Sequence, residues 1–303
     1  MIPISPKPTI LLIAGGWSRA RTYEPVAAIL RNQGYDARTI TLPSAGGPPS
    51  STAIDDVNYI QQNYLNDLID EGKEVVIAMH SYSGLPGTQC VQGFSRKELA
   101  SEDKKGGVVG LVYITAYLLA AGETVESSLP GGLESHMRID GDVVHLKDEQ
   151  KAKFFNSISE EYSRRYADAL TYHTIASLKT PLTYEAYRDV PSTYLFCDND
   201  ECLPVDTQRA MAALPGRGFT RMYRCSAGHF PMLSMPEGVA FVIHDSIMKN
   251  IMEFSNATSS YPFLGNLELE DGVQGTTIPQ PLDIEHARCR AGHIDPGLRW
   301  LLY

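Results

Sequence analysis

The chain has 303 residues, of which 43% are hydrophobic and 20% are charged, an ordinary composition for a globular protein that buries a core. Its formal net charge of -10 and the lack of a dense Lys/Arg patch argue against nucleic acid or an anionic membrane as partner and favour a small-molecule substrate. Five cysteines without the spacing of a disulfide framework, and no signal-peptide pattern, predict a cytoplasmic protein.

Strands and helices alternate over the opening third of the chain. The apolar run TILLIAG is too short to span a bilayer and is typical of a buried strand. The residues after it predict, in order, a helix from Pro25 to a stop at Gly34, strand YDARTITL, a helix from Ile54 to a stop at Gly72, and strand EVVIAMH. This order is expected of a parallel sheet with helices on both faces.

The alternation is interrupted in the middle of the chain and then resumes. Strand VVGLVYIT precedes the interruption, and strands STYLFC and FTRMYRC follow it, with a last helix from about Glu237 to Phe254. Six strands are therefore expected in one sheet. The interruption contains Asp140-Gly141-Asp142 between MRI and VVHL, which predicts a tight hairpin, and then Asp148 as the N-cap of a helix.

These patterns predict three parts of the chain. Residues 1–117 and 191–256 form an α/β core, residues 118–190 an inserted cap, and residues 257–303 a C-terminal extension of irregular composition. The extension either wraps the body or reaches a second copy of the chain. A homodimer, formed through the cap or through the tail, is one of the expected assemblies.

Ser81 lies at a sharp junction between strand EVVIAMH and a helix expected from Gly84. A strand-to-helix elbow projects a serine from the carboxyl end of a central strand and directs the next backbone N–H towards the reacting group. The elbow pattern G-x-S-x-G has glycine on both sides of the serine, whereas this sequence has Met79 and Ser83 there. Met79 is expected to crowd the neighbouring strand, so either the elbow is rearranged or the neighbouring residue is small.

An acid and a histidine follow Ser81 in the order serine, acid, histidine, each after a predicted strand. Asp200 follows STYLFC, and His229 lies in the loop after FTRMYRC. Because the carboxyl ends of parallel strands converge, we expect the three side chains to form a catalytic triad. Asp198 is the rival acid; Asp200 is preferred because it lies beyond the strand, in the loop.

Two backbone N–H groups are expected to stabilise an oxyanion, one from Gly16 in the glycine turn after the first strand and one from Tyr82. The turn GGWSRA lacks the G-x-G-x-x-G spacing of a dinucleotide site, and no histidine pair has metal-ligand spacing. We therefore expect neither a cofactor nor a metal.

The motifs resemble the α/β-hydrolase superfamily, in particular its compact branch of methylesterases and hydroxynitrile lyases. LLIAGGW is similar to the first strand and oxyanion loop of that branch, MHSYSG to its elbow, and AGHFPMLSMPE to its histidine loop. The resemblance implies an α/β-hydrolase fold, the triad Ser81, Asp200 and His229, and oxyanion donors at Gly16 and Tyr82. It departs at Thr115, where an acidic residue is common, and at Phe230, where the lyases have lysine.

The expected function is hydrolysis of an ester or lactone of a small, fairly apolar substrate through an acyl-enzyme on Ser81. The same triad could instead serve acyl transfer or carbon-carbon cleavage, and a fold that only binds a ligand is the alternative from another class. Substrate contacts are expected from aromatic and histidine side chains near the triad and in the cap, namely Trp17, His80, Tyr162, Tyr166 and Phe230.

Overall fold

A computed structural model describes residues 7–213, 219–258 and 282–283. The described residues contain ten strands: β1 (Thr9–Ile13), β2 (Ala37–Ile40), β3 (Glu74–His80), β4 (Gly107–Ile114), β5 (Met137–Asp140), β6 (Val143–Leu146), β7 (His173–Thr174), β8 (Ser192–Cys197), β9 (Phe219–Cys225) and β10 (Leu282–Asp283). They also contain twelve α-helices: α1 (Glu24–Asn32), α2 (Ala53–Ile60), α3 (Asn66–Asp70), α4 (Gly84–Gln89), α5 (Arg96–Ser101), α6 (Leu133–His136), α7 (Asp148–Phe154), α8 (Glu160–Ala167), α9 (Ile175–Lys179), α10 (Val205–Ala212), α11 (Pro231–Ser234) and α12 (Pro236–Thr258).

Seven parallel strands make the main sheet, in the spatial order β10-β9-β8-β4-β3-β1-β2. Every residue of β1, β4 and β8 is buried, which is why these strands appear in the sequence as continuous apolar runs rather than alternating ones. The α/β class and the six predicted strands are confirmed. The two-residue strand β10, at the edge of the sheet beside β9, was not predicted.

The two predicted helices before β3 have clear sequence causes. Pro25 lies in the first turn of α1, and Gly34, with a φ of 82°, follows its end. Thr52 caps α2 through a reciprocal bond with Asp55, and a π-helical turn at Gln61–Leu65 joins α2 to α3 without a break. The second predicted helix is therefore one continuous helical segment.

The chain between β4 and β8 forms a three-stranded antiparallel sheet, β5-β6-β7, with helices around it. The predicted hairpin is present, with Gly141 at a φ of 59° in its turn. Strand β7, which was not predicted, ties this sheet to the core through a bridge between Ala45 and His173. The predicted N-cap is wrong by one residue: Lys147 caps α7, and Asp148 is its first residue, near the positive end of the helix dipole.

The division into core, cap and C-terminal extension stays a prediction. Most of the expected extension, residues 257–303, lies outside the described residues, apart from the end of α12 and the strand β10. Within the described residues, no helix combines the length and the apolar character needed to cross a membrane.

Candidate active site

Ser81 follows β3 directly and begins a 3₁₀ turn that leads into α4. Its φ of 53° is in the left-handed region, which costs a residue with a side chain about 1–3 kcal/mol and persists only where the surroundings impose it. Ser83 imposes it here: its hydroxyl accepts from the N–H of His80 at 2.8 Å and lies 3.0 Å from the carbonyl of Ile13. The sequence-predicted elbow is therefore a strained and locally braced turn.

Met79, the bulky residue of the elbow, is accommodated by a glycine. A Cβ added to Gly87 on α4 would lie 2.6 Å from both the Cγ and the Sδ of Met79. Gly84 has a similar function at the start of α4, since a Cβ there would lie 2.1 Å from the carbonyl oxygen of Tyr117. The two glycines let α4 pack closely beneath Ser81, and the small neighbour that Met79 requires is Gly87.

The structure brings Ser81, His229 and Asp200 into one hydrogen-bonded chain. His229 Nε2 lies 3.0 Å from Ser81 Oγ, and His229 Nδ1 lies 2.7 Å from Asp200 Oδ2. With Nδ1–H donating to the carboxylate, Nε2 is left as the acceptor for the serine hydroxyl. The rival acid is not in this chain, because Asp198 forms an ion pair with Arg224 instead.

Asp200 is held by four hydrogen-bond donors. Its Oδ1 accepts from the N–H groups of Cys202 at 2.7 Å and Leu203 at 2.8 Å, and its Oδ2 accepts from His229 and from the hydroxyl of Thr115. Burial raises the pKa of Asp200, but the His229 charge and these hydrogen bonds outweigh it, so that the pKa is below its ordinary value. Asp200 is therefore an ionised acceptor.

Thr115 follows β4 with a φ of 37°, and Trp17, in the loop after β1, has a φ of 57°. With Ser81 after β3, three adjacent strands are each followed, directly or within four residues, by a left-handed residue that has a side chain. The strain at these strand ends directs the indole of Trp17 and the hydroxyls of Ser81 and Thr115 to the same edge of the sheet.

Gly16 and Tyr82, the two predicted oxyanion donors, come from loops that meet. A Cβ built on Gly16 would lie 3.4 Å from the Cβ of Tyr82, so the two backbones approach closely. The Tyr82 side chain is buried and its hydroxyl donates to Asp56 Oδ2 at 2.7 Å; the same carboxyl accepts from the N–H of Ser44 at 2.9 Å and from its hydroxyl at 2.6 Å. This set of hydrogen bonds between Tyr82, Asp56 and Ser44 was not predicted from the sequence.

Asp56, the carboxyl that accepts these three hydrogen bonds, is fully buried. Burial raises its pKa to about 6, against hydrogen bonds from Ser44 and Tyr82 that lower it. The ring of His173 lies 4.4 Å from the ring of Tyr82, and burial lowers the pKa of His173 to about 3, so that this ring stays neutral. Tyr82 thus contacts both a carboxyl and a neutral imidazole.

A cavity of about 120 Å³ opens onto Ser81 and His229. Trp17 lines it, as predicted, with its indole N–H donating to the carbonyl of Val144 at 3.0 Å. Much of the wall is apolar and comes from the segment between β4 and β8, including Val125, Leu129, Met137, Phe154 and Leu178, and part comes from residues 202–207 after β8. This lining suits an uncharged, compact substrate.

His80 and Phe230, which were expected to bind substrate, do not line this cavity. His80 is buried and donates from Nε2 to the carbonyl of His229 at 2.7 Å; burial, with the His229 charge as a smaller cause, lowers its pKa to about 3. The Phe230 ring packs 4.7 Å from the His80 ring and 4.8 Å from the Phe155 ring. His80 and Phe230 therefore pack against the loop that carries His229, outside the cavity lining.

Tyr162 and Tyr166 on α8 also lie away from the cavity. Tyr162 is 54% exposed, and both tyrosines line a separate surface groove with Pro25 and Leu233. Tyr166 packs on the ring of Phe155 at 6.4 Å. Tyr162 and Tyr166 were expected to contact the substrate, with packing inside the cap as the alternative interpretation of aromatic residues at helical spacing, and α8 presents them to its own neighbours and to solvent.

Comparisons with known proteins agree with this architecture. A model of the alpha/beta hydrolase family matches residues 10–240. Alpha/beta hydrolase nvfD of Aspergillus novofumigatus is 30% identical over 246 residues, which are 79% of this chain and 96% of that protein. Among solved structures, a pyrethroid hydrolase from Sphingobium faniae superimposes with a TM-score of 0.63 at 24% identity, over 80% of this chain and 97% of its own. Polyneuridine aldehyde esterase gives 0.62 at 18% identity, over 79% and 99%.

Proposed function

The chain belongs to the alpha/beta hydrolase family, and from this we propose that it is a serine hydrolase that cleaves a small, uncharged carboxylic ester or lactone through an acyl-enzyme on Ser81. One observation carries the proposal: the hydrogen-bonded chain from Asp200 through His229 to Ser81, which ends in an apolar cavity. The esterase and pyrethroid hydrolase of similar fold support the choice of an ester substrate.

In the proposed first step, His229 Nε2 takes the proton of Ser81 as Oγ attacks the substrate carbonyl. The N–H groups of Gly16 and Tyr82 stabilise the oxyanion that forms, and Asp200 stabilises the imidazolium of His229. The leaving alcohol takes the proton back from His229. Water, deprotonated by the same histidine, then hydrolyses the acyl-enzyme.

Covalent labelling by a fluorophosphonate tests whether Ser81 is activated. We expect the wild type and the control Ser101→Ala, an exposed helix residue, to label equally, and Ser81→Ala and His229→Ala to lose the label. A wild-type protein that does not label would overturn the proposal and favour a binding protein without catalysis.

Hydrolysis of p-nitrophenyl butyrate in ¹⁸O-labelled water tests the second step. We expect one ¹⁸O atom in the butyrate, because water resolves the acyl-enzyme. Turnover that needs an added alcohol acceptor, with no ¹⁸O in the free acid, would contradict hydrolysis and identify the protein as an acyltransferase.

A further inference from the structure

Gln150 is a buried amide in the wall of the candidate active site. Its side chain is only 9% exposed and lines the same cavity as Ser81 and His229. Its backbone N–H donates to the carbonyl of Lys147, whereas its side-chain amide has no hydrogen-bond partner among the residues that the structure describes. The amide faces the cavity, where a ligand that displaces water would have to supply its hydrogen bonds, because buried side-chain amides are normally hydrogen-bonded.

The helix α7 directs Gln150 towards the reaction centre. Gln150 and Phe154 are four residues apart and share one face of α7, with Cβ atoms about 5–6 Å apart on this spacing. Phe154 packs against the ring of His229 at 5.0 Å and against Trp17 at 6.0 Å. The amide therefore lies about one helical turn from the residue that covers the catalytic histidine.

Tyr117 also lines the cavity, and its hydroxyl has no hydrogen-bond partner among the described residues. Most other polar groups of the wall have partners or lie at its rim. His136 Nε2 is bonded to the carbonyl of Pro130 at 2.9 Å, and the hydroxyl of Ser128 donates to the backbone carbonyl of Thr124 at 3.2 Å. Thr207 is half-buried and open to water. Lys, Arg, Asp and Glu are absent from the described residues that line the cavity, so a charged ligand would be buried without a counter-ion.

We propose that Gln150 is a specificity-determining residue that hydrogen-bonds a neutral oxygen of the substrate, a ketone or hydroxyl separate from the ester that is cleaved. This inference rests on the proposed ester hydrolysis and narrows it to small, uncharged, oxygenated esters or lactones. The cavity of about 120 Å³ can enclose one side of such an ester, since an apolar cavity of about 150 Å³ holds one benzene ring.

Two pairs of esters, matched in size, test the proposal. Methyl 4-oxopentanoate and methyl 4-methylpentanoate place a ketone oxygen or a methyl group in the acyl chain. The esters 2-oxopropyl butanoate and 2-methylpropyl butanoate place them on the alcohol side. The variant Gln150→Met keeps the length of the side chain and removes the amide. Its control is Glu149→Met, the adjacent, exposed residue of α7.

In at least one pair, we expect Gln150→Met to lower kcat/KM for the keto ester roughly tenfold more than for its methyl partner, mainly through KM. Glu149→Met should change both esters of a pair alike, and thermal unfolding shows that each variant is folded. Equal losses within both pairs would overturn the proposal while leaving ester hydrolysis intact. A wild type that cleaves none of the four esters and does not label with a fluorophosphonate would instead refute the proposed function.

Discussion

Replacing Gly87 with alanine should strain the elbow beneath Ser81. The new Cβ would lie 2.6 Å from the Cγ and Sδ of Met79, and 3.4 Å from Ile13, all in the core. Carbon atoms prefer about 3.5–4.0 Å, so Met79 must leave its rotamer or α4 must move. Overpacking of this kind costs about 1–3 kcal/mol, and the better helix propensity of alanine returns at most about 1 kcal/mol. With about 2 kcal/mol taken for the clash and up to about 1 kcal/mol for the helix gain, Gly87→Ala should lose about 1–2 kcal/mol.

The companion variant Met79→Ala tests the reasoning because it removes the clashing atoms. Alone, it should cost about 2–5 kcal/mol by leaving a cavity. In its background, Gly87→Ala should become stabilising by about 1 kcal/mol, because the helix gain remains and the clash is gone. Urea unfolding of the four proteins measures the cycle. If Gly87→Ala unfolds at the wild-type urea concentration, or fails to change sign in the Met79→Ala background, the close packing of the elbow is refuted.

Three further predictions concern the buried carboxyls. Asp200→Asn should lower kcat about 10⁴-fold, because the amide no longer fixes the tautomer of His229 that accepts the serine proton; a loss below tenfold in steady-state assays would contradict the triad. The folded pKa of Asp200 is lowered, so its stabilisation is present above the unfolded pKa and lost as pH falls. Thr115→Val removes a hydrogen bond that lowers this pKa, and should therefore move the acid-unfolding midpoint to higher pH; an unchanged midpoint would count against it. The pKa of Asp56 is raised to about 6 in the folded state. The stability that this carboxyl contributes is therefore fully present below its unfolded pKa and is lost as pH rises through 6. The unfolding free energy of Asp56→Asn relative to wild type should accordingly rise between pH 4 and 7, and a flat difference would show that the carboxyl is not buried as described.

The strands were predictable because burial on both faces gives continuous apolar runs. Strands β3, β8 and β9 begin and end at the residues that the sequence predicts. The meeting of Ser81, Asp200 and His229 was predictable for a related reason: each follows a parallel strand, and the ends of such strands converge. Their catalytic roles stay proposals that the labelling experiment tests, as do the predicted homodimer and the cytoplasmic location.

Contacts that depend on packing between distant segments were not predictable. Asp56 and Tyr82 are separated by 26 residues, and Thr115 and Asp200 by 85, with no local pattern that links either pair. Thr115 was identified only as a departure from a family pattern, although it donates to the acid. The position of the aromatic residues of α8 away from the cavity was not predictable for the same reason: helical spacing shows that they share a face, but only packing determines what that face contacts.

The left-handed backbone at Trp17, Ser81 and Thr115 holds strain at the edge of the sheet that carries the candidate active site. Each of these residues opposes folding by about 1–3 kcal/mol, and glycine would relieve most of that cost. Glycine in place of Trp17 or Thr115 would also remove a buried indole that lines the cavity or the hydroxyl that holds the acid, and the loss of a buried Trp side chain alone costs about 3–5 kcal/mol. Substitutions that raise the unfolding free energy should therefore be sought far from the ends of β1, β3 and β4.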